Sequence, residues 1–188
     1  MARPTKAIIN LAALRHNFDV AQSLAPESKL IPVIKANAYG HGAVPCAKAL
    51  SRQAPAFAVA CIEEADELRK AGITQTILLL EGVFEAKELS VAASQNYSIV
   101  VENQQQLTML LDAELPSALI AWLKVDSGMH RLGFSPEQAS AAWHALEESP
   151  NVVDELVLMS HFSSAEDLDS PATGQQVKLV KALASEIG

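Results

Sequence analysis

At 188 residues, 49% of them hydrophobic, the chain can bury a sizeable core and is far too apolar for a disordered segment. A formal charge of −8 argues against nucleic acid or an anionic membrane as the main partner, and the two cysteines, Cys46 and Cys61, make neither a disulfide framework nor a CxxC metal site. Met1–Lys6 has no apolar h-region and no run approaches the length of a membrane helix, so a soluble, cytoplasmic protein without metal is expected.

In chain order, Lys6–Leu11 reads as a short strand-like piece, and Asn10 is placed to cap a helix from Leu11 to about Ser23 with Leu11, Leu14, Phe18 and Ala21 on one face. Leu30–Lys35 is an apolar run bounded by turn residues, the pattern of a buried strand. A helix over Ala43–Arg52, a strand over Ala56–Cys61 and a helix over Glu63–Ala71 closed by Gly72 follow. Thr76–Leu80 and Tyr97–Val101 read as strands, with a helix over Phe84–Gln95 between them. Asn103 caps a helix through Leu111, and Ala118–Val125 is a long apolar strand. Ser135-Pro136-Glu137-Gln138 has the form of a capping box with proline at the first helical position, opening a helix that Pro150-Asn151 ends. Glu155–Phe162 reads as a sixth strand, Ser163–Ser170 as an acidic, serine-rich loop, and Thr173–Glu186 as a last helix.

Strands apolar on both faces that alternate with helices predict a parallel sheet covered by helices. Open doubly wound sheets and closed (β/α)₈ barrels both fit that pattern. No G-x-G-x-x-G follows the first strand and no P-loop is present, which weakens a dinucleotide or nucleotide reading. The expected fold class is α/β, and a (β/α)₈ TIM-type barrel requires that the chain be an incomplete one. Residues 1–188 then form one domain that stops before strands 7 and 8, because a seventh strand would begin just past Gly188.

Polar groups gather where such folds build sites, at the C-terminal ends of strands. The first strand ends in Lys35, followed by Asn37, Tyr39, Gly40, His41 and Gly42. A lysine there finds a partner, snorkels into solvent, or loses its proton and becomes an amine nucleophile toward an aldehyde. The fifth strand runs into Lys124-Val-Asp-Ser-Gly-Met-His-Arg131-Leu-Gly133, and the sixth into Met159-Ser-His161-Phe. Asp126-Ser127-Gly128 is also the composition of an ordinary turn, and a lone histidine beside an apolar strand is often a satisfied core residue.

Lys35-Ala-Asn-Ala-Tyr-Gly-His-Gly resembles the cofactor-lysine motif of bacterial alanine racemases, pyridoxal-phosphate enzymes of fold type III. The segments at Lys124–Gly133 and Met159–Phe162 resemble that family's second and third motifs, and the similarity runs from about Lys6 to the end. The resemblance implies that Lys35 holds pyridoxal 5'-phosphate covalently and is one of two acid/base groups at the substrate Cα. It implies that Tyr39 bonds the cofactor phosphate and that Arg131 contacts both the cofactor's phenolic oxygen and the substrate carboxylate. By the same resemblance Lys124 matches a lysine that is carbamylated in several members, and His161 lies against the pyridine ring. The substrate implied is alanine, interconverted between its L and D forms to supply D-alanine for peptidoglycan, by a homodimer.

In that family the arginine facing the pyridine nitrogen, much of the phosphate cup and the second base, a tyrosine from the other subunit, come from a further stretch and a mostly β domain. Tyr97, the one other tyrosine, falls in a predicted strand. The isolated 188-residue chain is therefore expected to be weakly active or inactive. Three other readings stand beside this one: a single-domain pyridoxal-phosphate carrier, a decarboxylase of the same barrel superfamily acting on basic amino acids, and a non-catalytic module whose acidic loop around Glu166, Asp167 and Asp169 meets a partner.

Overall fold

The computed structural model describes residues 4–188, so Met1–Arg3 of the N-terminal stretch lie outside the described residues. The chain forms two compact units, one up to Ile77 and one over Leu78–Gly188. The first holds α1 (Leu11–Leu24), α2 (Lys35–Tyr39), α3 (Ala43–Leu50), β1 (Ala56–Val59), α4 (Ile62–Lys70) and the start of β2 (Thr76–Leu79). The second holds the rest of β2, α5 (Ala86–Ser94), β3 (Tyr97–Val101), α6 (Gln104–Leu111), β4 (Ala121–Lys124), α7 (Pro136–Glu147), β5 (Val157–Met159) and α8 (Ala172–Ile187).

Local chemistry accounts for the helix ends. The Asn10 side-chain oxygen accepts from the backbone N–H groups of Ala12 and Ala13 at 3.0 and 3.1 Å, satisfying two donors that have no partner inside α1. Asn103 does the same for Gln106 at the start of α6. Helix α4 carries Glu63 and Glu64 in its first turn and Arg69 and Lys70 in its last, the order the helix dipole favours.

In the second unit β3 runs parallel to β4, with Ile99 opposite Ala121 and Val101 opposite Leu123. Strand β4 runs parallel to β5, with Trp122 opposite Val157 and Lys124 opposite Met159. All five residues of β3 are buried, as a strand covered on both faces requires. Leu89, Leu110, Leu123 and Leu146 of this unit are fully buried, each contributing roughly 1.5–3 kcal/mol by leaving water.

Four expectations change. The predicted first strand shrinks to an isolated parallel bridge between Val33 and Ala58, held by Ile34 N–H to Ala58 O at 2.8 Å and Ala58 N–H to Pro32 O at 2.9 Å. Pro32 has no N–H to extend the ladder, and the chain turns left-handed right after Lys35. The strand-like piece at Lys6–Leu11 joins no strand; Lys6–Asn10 are exposed and Leu11 already opens α1. The sixth predicted strand is trimmed to Val157–Met159. Pro136 does open α7, but the Ser135 side chain caps no backbone N–H and instead hydrogen-bonds the Glu137 carboxylate, which lowers that carboxyl's pKa.

Candidate active site

Lys35 opens α2, and α2 is a left-handed turn. Ala36, Asn37, Ala38 and Tyr39 all have φ between +50° and +54°. L-residues resist this conformation by about 1–2 kcal/mol each and adopt it as single residues, not in runs. A strained run of four persists only where its surroundings fix it, and such strain clusters at functional sites. The surroundings are visible. Glu64 on α4 accepts from Ala36 N–H with Oε1 at 2.7 Å and from Ala60 N–H with Oε2 at 2.8 Å, so one carboxylate pins the turn to the end of β1. The Asn37 side chain accepts from Ala43 N–H at 2.8 Å, and its carbonyl accepts from Gly40 and Gly42 N–H at 3.1 and 2.9 Å. Lys35 is half-buried by this arrangement, whereas Tyr39 stays 63% exposed. Tyr39 and His41 border an apolar cavity of about 540 Å³ whose walls include Phe18, Ile34 and Leu50.

In the second unit, Lys124, Arg131 and His161 line one narrow cleft together with Asp126 and Met129. Lys124 ends β4 and is 7% exposed; Arg131 and His161 are exposed. The loop between them is tied at both ends. Phe134 N–H donates to Lys124 O and Asp126 N–H to Phe134 O, each at 2.9 Å. Inside the loop, Asp126 Oδ1 accepts from the N–H groups of Gly128, Met129 and His130 at 2.9, 3.0 and 3.0 Å. Those bonds, the one from His130 first, hold the Asp126 carboxyl below the ordinary aspartate range.

Gln176 of α8, 2% exposed, fastens this side of the cleft. Its Nε2 donates to Ser127 Oγ and to His161 O at 3.0 Å each, and its Oε1 accepts from Ser163 N–H at 3.0 Å. Ser127 Oγ and Ser160 Oγ are 2.6 Å apart, and Ser160 Oγ donates to Val125 O.

Sequence reasoning passed over four of these residues. Glu102 follows β3 directly and is 8% exposed, with Oε2 at 4.0 Å from Lys124 Nζ. Burial pushes its carboxyl up, Lys124 pulls it down, Glu81 pushes it up again and Arg131 pulls it down. Glu81 and Glu102 carry the same signal that singled out Lys35, an ionisable residue just past an apolar strand. Their position ahead of a helix is also where ordinary solvated acids stand. Glu64 and Gln176 sit inside helices, where nothing in the local pattern separates a brace from a surface residue.

Residues 9–188 match the family model described as alanine racemase, N-terminal domain. The catabolic alanine racemase of Pseudomonas aeruginosa is 53% identical over 175 residues, covering 93% of this chain and 48% of that protein. The alanine racemase of Chromohalobacter salexigens is 49% identical over 183 residues, covering 97% and 50%. Among solved structures, the biosynthetic alanine racemase of Pseudomonas aeruginosa superposes with a TM-score of 0.87 at 46% identity, over 93% of this chain and 48% of that one. The chain thus spans about half the length of the relatives it matches. On the match over residues 9–188, the chain belongs to the alanine racemase family, within the part known as its N-terminal domain.

Proposed function

We propose that this chain is the cofactor-binding part of a pyridoxal-phosphate-dependent alanine racemase that interconverts L- and D-alanine. The residues present fit the cofactor by the chemistry of their donors: a primary amine for its aldehyde, a phenol for its phosphate, a guanidinium for its phenolic oxygen and an imidazole for its ring face. The observation that carries the reading is the left-handed turn that presents Lys35 and Tyr39 at its two ends, a conformation with no use in simply connecting β1's neighbour to α3. When bound, the cofactor supplies the electron sink that makes a Cα proton removable.

The chain's own residues then divide the work. Lys35 holds the cofactor and moves a proton at one face of the substrate Cα. Arg131 matches two carboxylate oxygens with its planar fork, and His161 lies against the ring. Tyr97, 2% exposed within β3, is unsuited to serve the opposite face. That base is expected from a tyrosine outside these 188 residues, so the chain by itself turns alanine over weakly or not at all. A homodimeric, cytoplasmic enzyme supplying D-alanine to peptidoglycan completes the reading. No helix among the described residues is long and apolar enough to cross a membrane.

The test is made in the protein joined to the half its relatives carry. Lys35→Ala is expected to lower the D-alanine formation rate by about a thousandfold or more, since anchor and base disappear together. Arg131→Lys should cost about 10- to 100-fold in kcat/KM, the worth of a charged bidentate contact. Retained turnover in the first variant, or wild-type kinetics in the second, would overturn the assignment.

A further inference from the structure

Helix α8 buries Gln176 and, two turns further on, Leu183. A leucine there is ordinary, but an amide at 2% exposure is costly unless its donors and its acceptor are all met. Gln176 meets all of them. Nε2 uses both protons, one on Ser127 Oγ and one on His161 O, each at 3.0 Å. Oε1 accepts from Ser163 N–H at 3.0 Å and from Ser163 Oγ at 3.2 Å. The direction of the hydroxyl protons follows, because a carbonyl only accepts. Ser160 Oγ gives its proton to Val125 O at 2.9 Å, so the 2.6 Å contact between the two hydroxyls is donated by Ser127. One chain of donation therefore runs from Gln176 through Ser127 and Ser160 to the backbone just past β4. The place calls for two donors and an acceptor on one side chain, a set that a carboxylate, an ammonium or a guanidinium does not supply.

We propose that Gln176 is a positioning residue that holds the loop carrying Arg131 and the backbone of His161 in one register, so that guanidinium and imidazole face their ligand together. This deepens the racemase reading and rests on it for what that ligand is. The loop is tied within itself. Asp126 Oδ1 gathers the N–H groups of Gly128, Met129 and His130, and Phe134 closes the loop onto Lys124 and Asp126 through the backbone. A loop stiff in itself is steered by its outside tethers, and Ser127 supplies one, held by Gln176 on one side and Ser160 on the other. A carbon added at Gly128 would stand 3.6 Å from Gln176 Cγ, so loop and amide are also in van der Waals contact. The same amide grips the segment carrying His161 at two points, His161 O and Ser163 N–H. The two segments leave different strands, β4 and β5, and line one cleft through Arg131 and His161. Fastening α8 needs no such arrangement, since Leu183 does that with an apolar side chain.

The experiment compares Gln176→Glu, which turns an acceptor toward His161 O, with Leu183→Ala, which loosens α8 by opening a cavity and leaves the amide in place. Both are made in the protein joined to the half its relatives carry and loaded with pyridoxal phosphate. Gln176→Glu is expected to raise KM for alanine about tenfold with kcat within about threefold of wild type, and to change the circular dichroism of the cofactor band. Leu183→Ala is expected to lose stability in urea yet keep the wild-type KM and dichroism. Wild-type values in Gln176→Glu, or the same changes in Leu183→Ala, would overturn the proposal. A second measurement needs neither cofactor nor turnover. In the ¹⁵N-labelled 188-residue chain, Gln176→Glu should shift the backbone amide resonances of Gly128, Met129, His130 and His161 together, whereas Leu183→Ala should leave them in place. Shifts confined to α8 and Ser163 overturn the positioning role while the racemase reading stands. Absence of racemisation in the wild type overturns that reading instead, and the resonances then decide the proposal. If Gln176→Glu does not fold, Ser127→Ala removes the tether from the loop side, and an unchanged KM in that variant overturns the proposal.

Discussion

Gly40 and Gly133 pose the same backbone problem in different surroundings. Both sit at positive φ, +87° and +119°. A methyl group built at Gly40 meets nothing within 4 Å, so Gly40→Ala feels conformational strain alone, about 1–2 kcal/mol. At Gly133 the added carbon would stand 2.7 Å from Asp126 N and 2.8 Å from Val125 C, backbone atoms that cannot yield without opening the loop that carries Arg131. Gly133→Ala should therefore lose about 4 kcal/mol, the strain plus an overpacking cost. Urea denaturation of the two variants checks this, and equal losses would mean the tight approach at Gly133 is not real. These glycines are legible in the sequence, because glycine is the residue a left-handed position selects. The left-handed run beside Gly40 is not. Alanine is the strongest right-handed helix former, so Ala36-Asn37-Ala38 gives no local hint of its conformation. What fixes it from a distance in sequence is the carboxylate of Glu64 on α4, which accepts from Ala36 N–H.

At the scale of elements, apolar runs located β1, β2 and β3 to within two residues at either end and overran β4 and β5 by up to three, because a strand buried on both faces is written in apolar residues but those residues also continue past its ends. The first predicted strand failed on one residue: Pro32 accepts from Ala58 but has nothing to donate, which leaves a bridge where a ladder was expected. Helix α8 shows what periodicity misses. Its position follows from pattern, yet its role at the cleft rests on Gln176, whose amide joins Ser127, His161 and Ser163. Gln176→Leu keeps the volume and strands those three groups, so a loss of about 3 kcal/mol is expected by urea denaturation. Gln176→Glu keeps the acceptor for Ser163 but exchanges the donor for an acid, so it should fall between the leucine variant and wild type. A leucine variant as stable as wild type would show that the network is incidental to the packing of α8.

For the whole molecule, the three motifs were enough to point to the family because their order along the chain is itself information, and the family match over residues 9–188 covers the whole stretch they bracket and runs past it at both ends. Charge bears on stability through two carboxylates of the second unit that act in opposite directions. Asp126 has its carboxyl lowered, chiefly by the His130 N–H, so its contribution is present above the ordinary value of 3.8 and is lost as pH falls through the lowered one. Glu102 has its carboxyl raised, chiefly by burial, so its contribution is present below the ordinary value of 4.5 and is lost as pH rises through the raised one. The chain also carries a net charge of −8 at pH 7, and protonating acids on the way to pH 5 relieves that self-repulsion. The thermal midpoint should consequently rise from about pH 7 to about pH 5 and fall again below about pH 3.8, where the Asp126 loop loses its charge. Calorimetry across that range distinguishes the causes. Glu102→Gln should flatten the upper limb without touching the lower, and Asp126→Asn should lower stability at pH 5 by an amount that vanishes in acid. A Glu102→Gln profile parallel to wild type above pH 5 would mean that the buried acid is already compensated by Lys124, and that the upper limb is set by net charge alone.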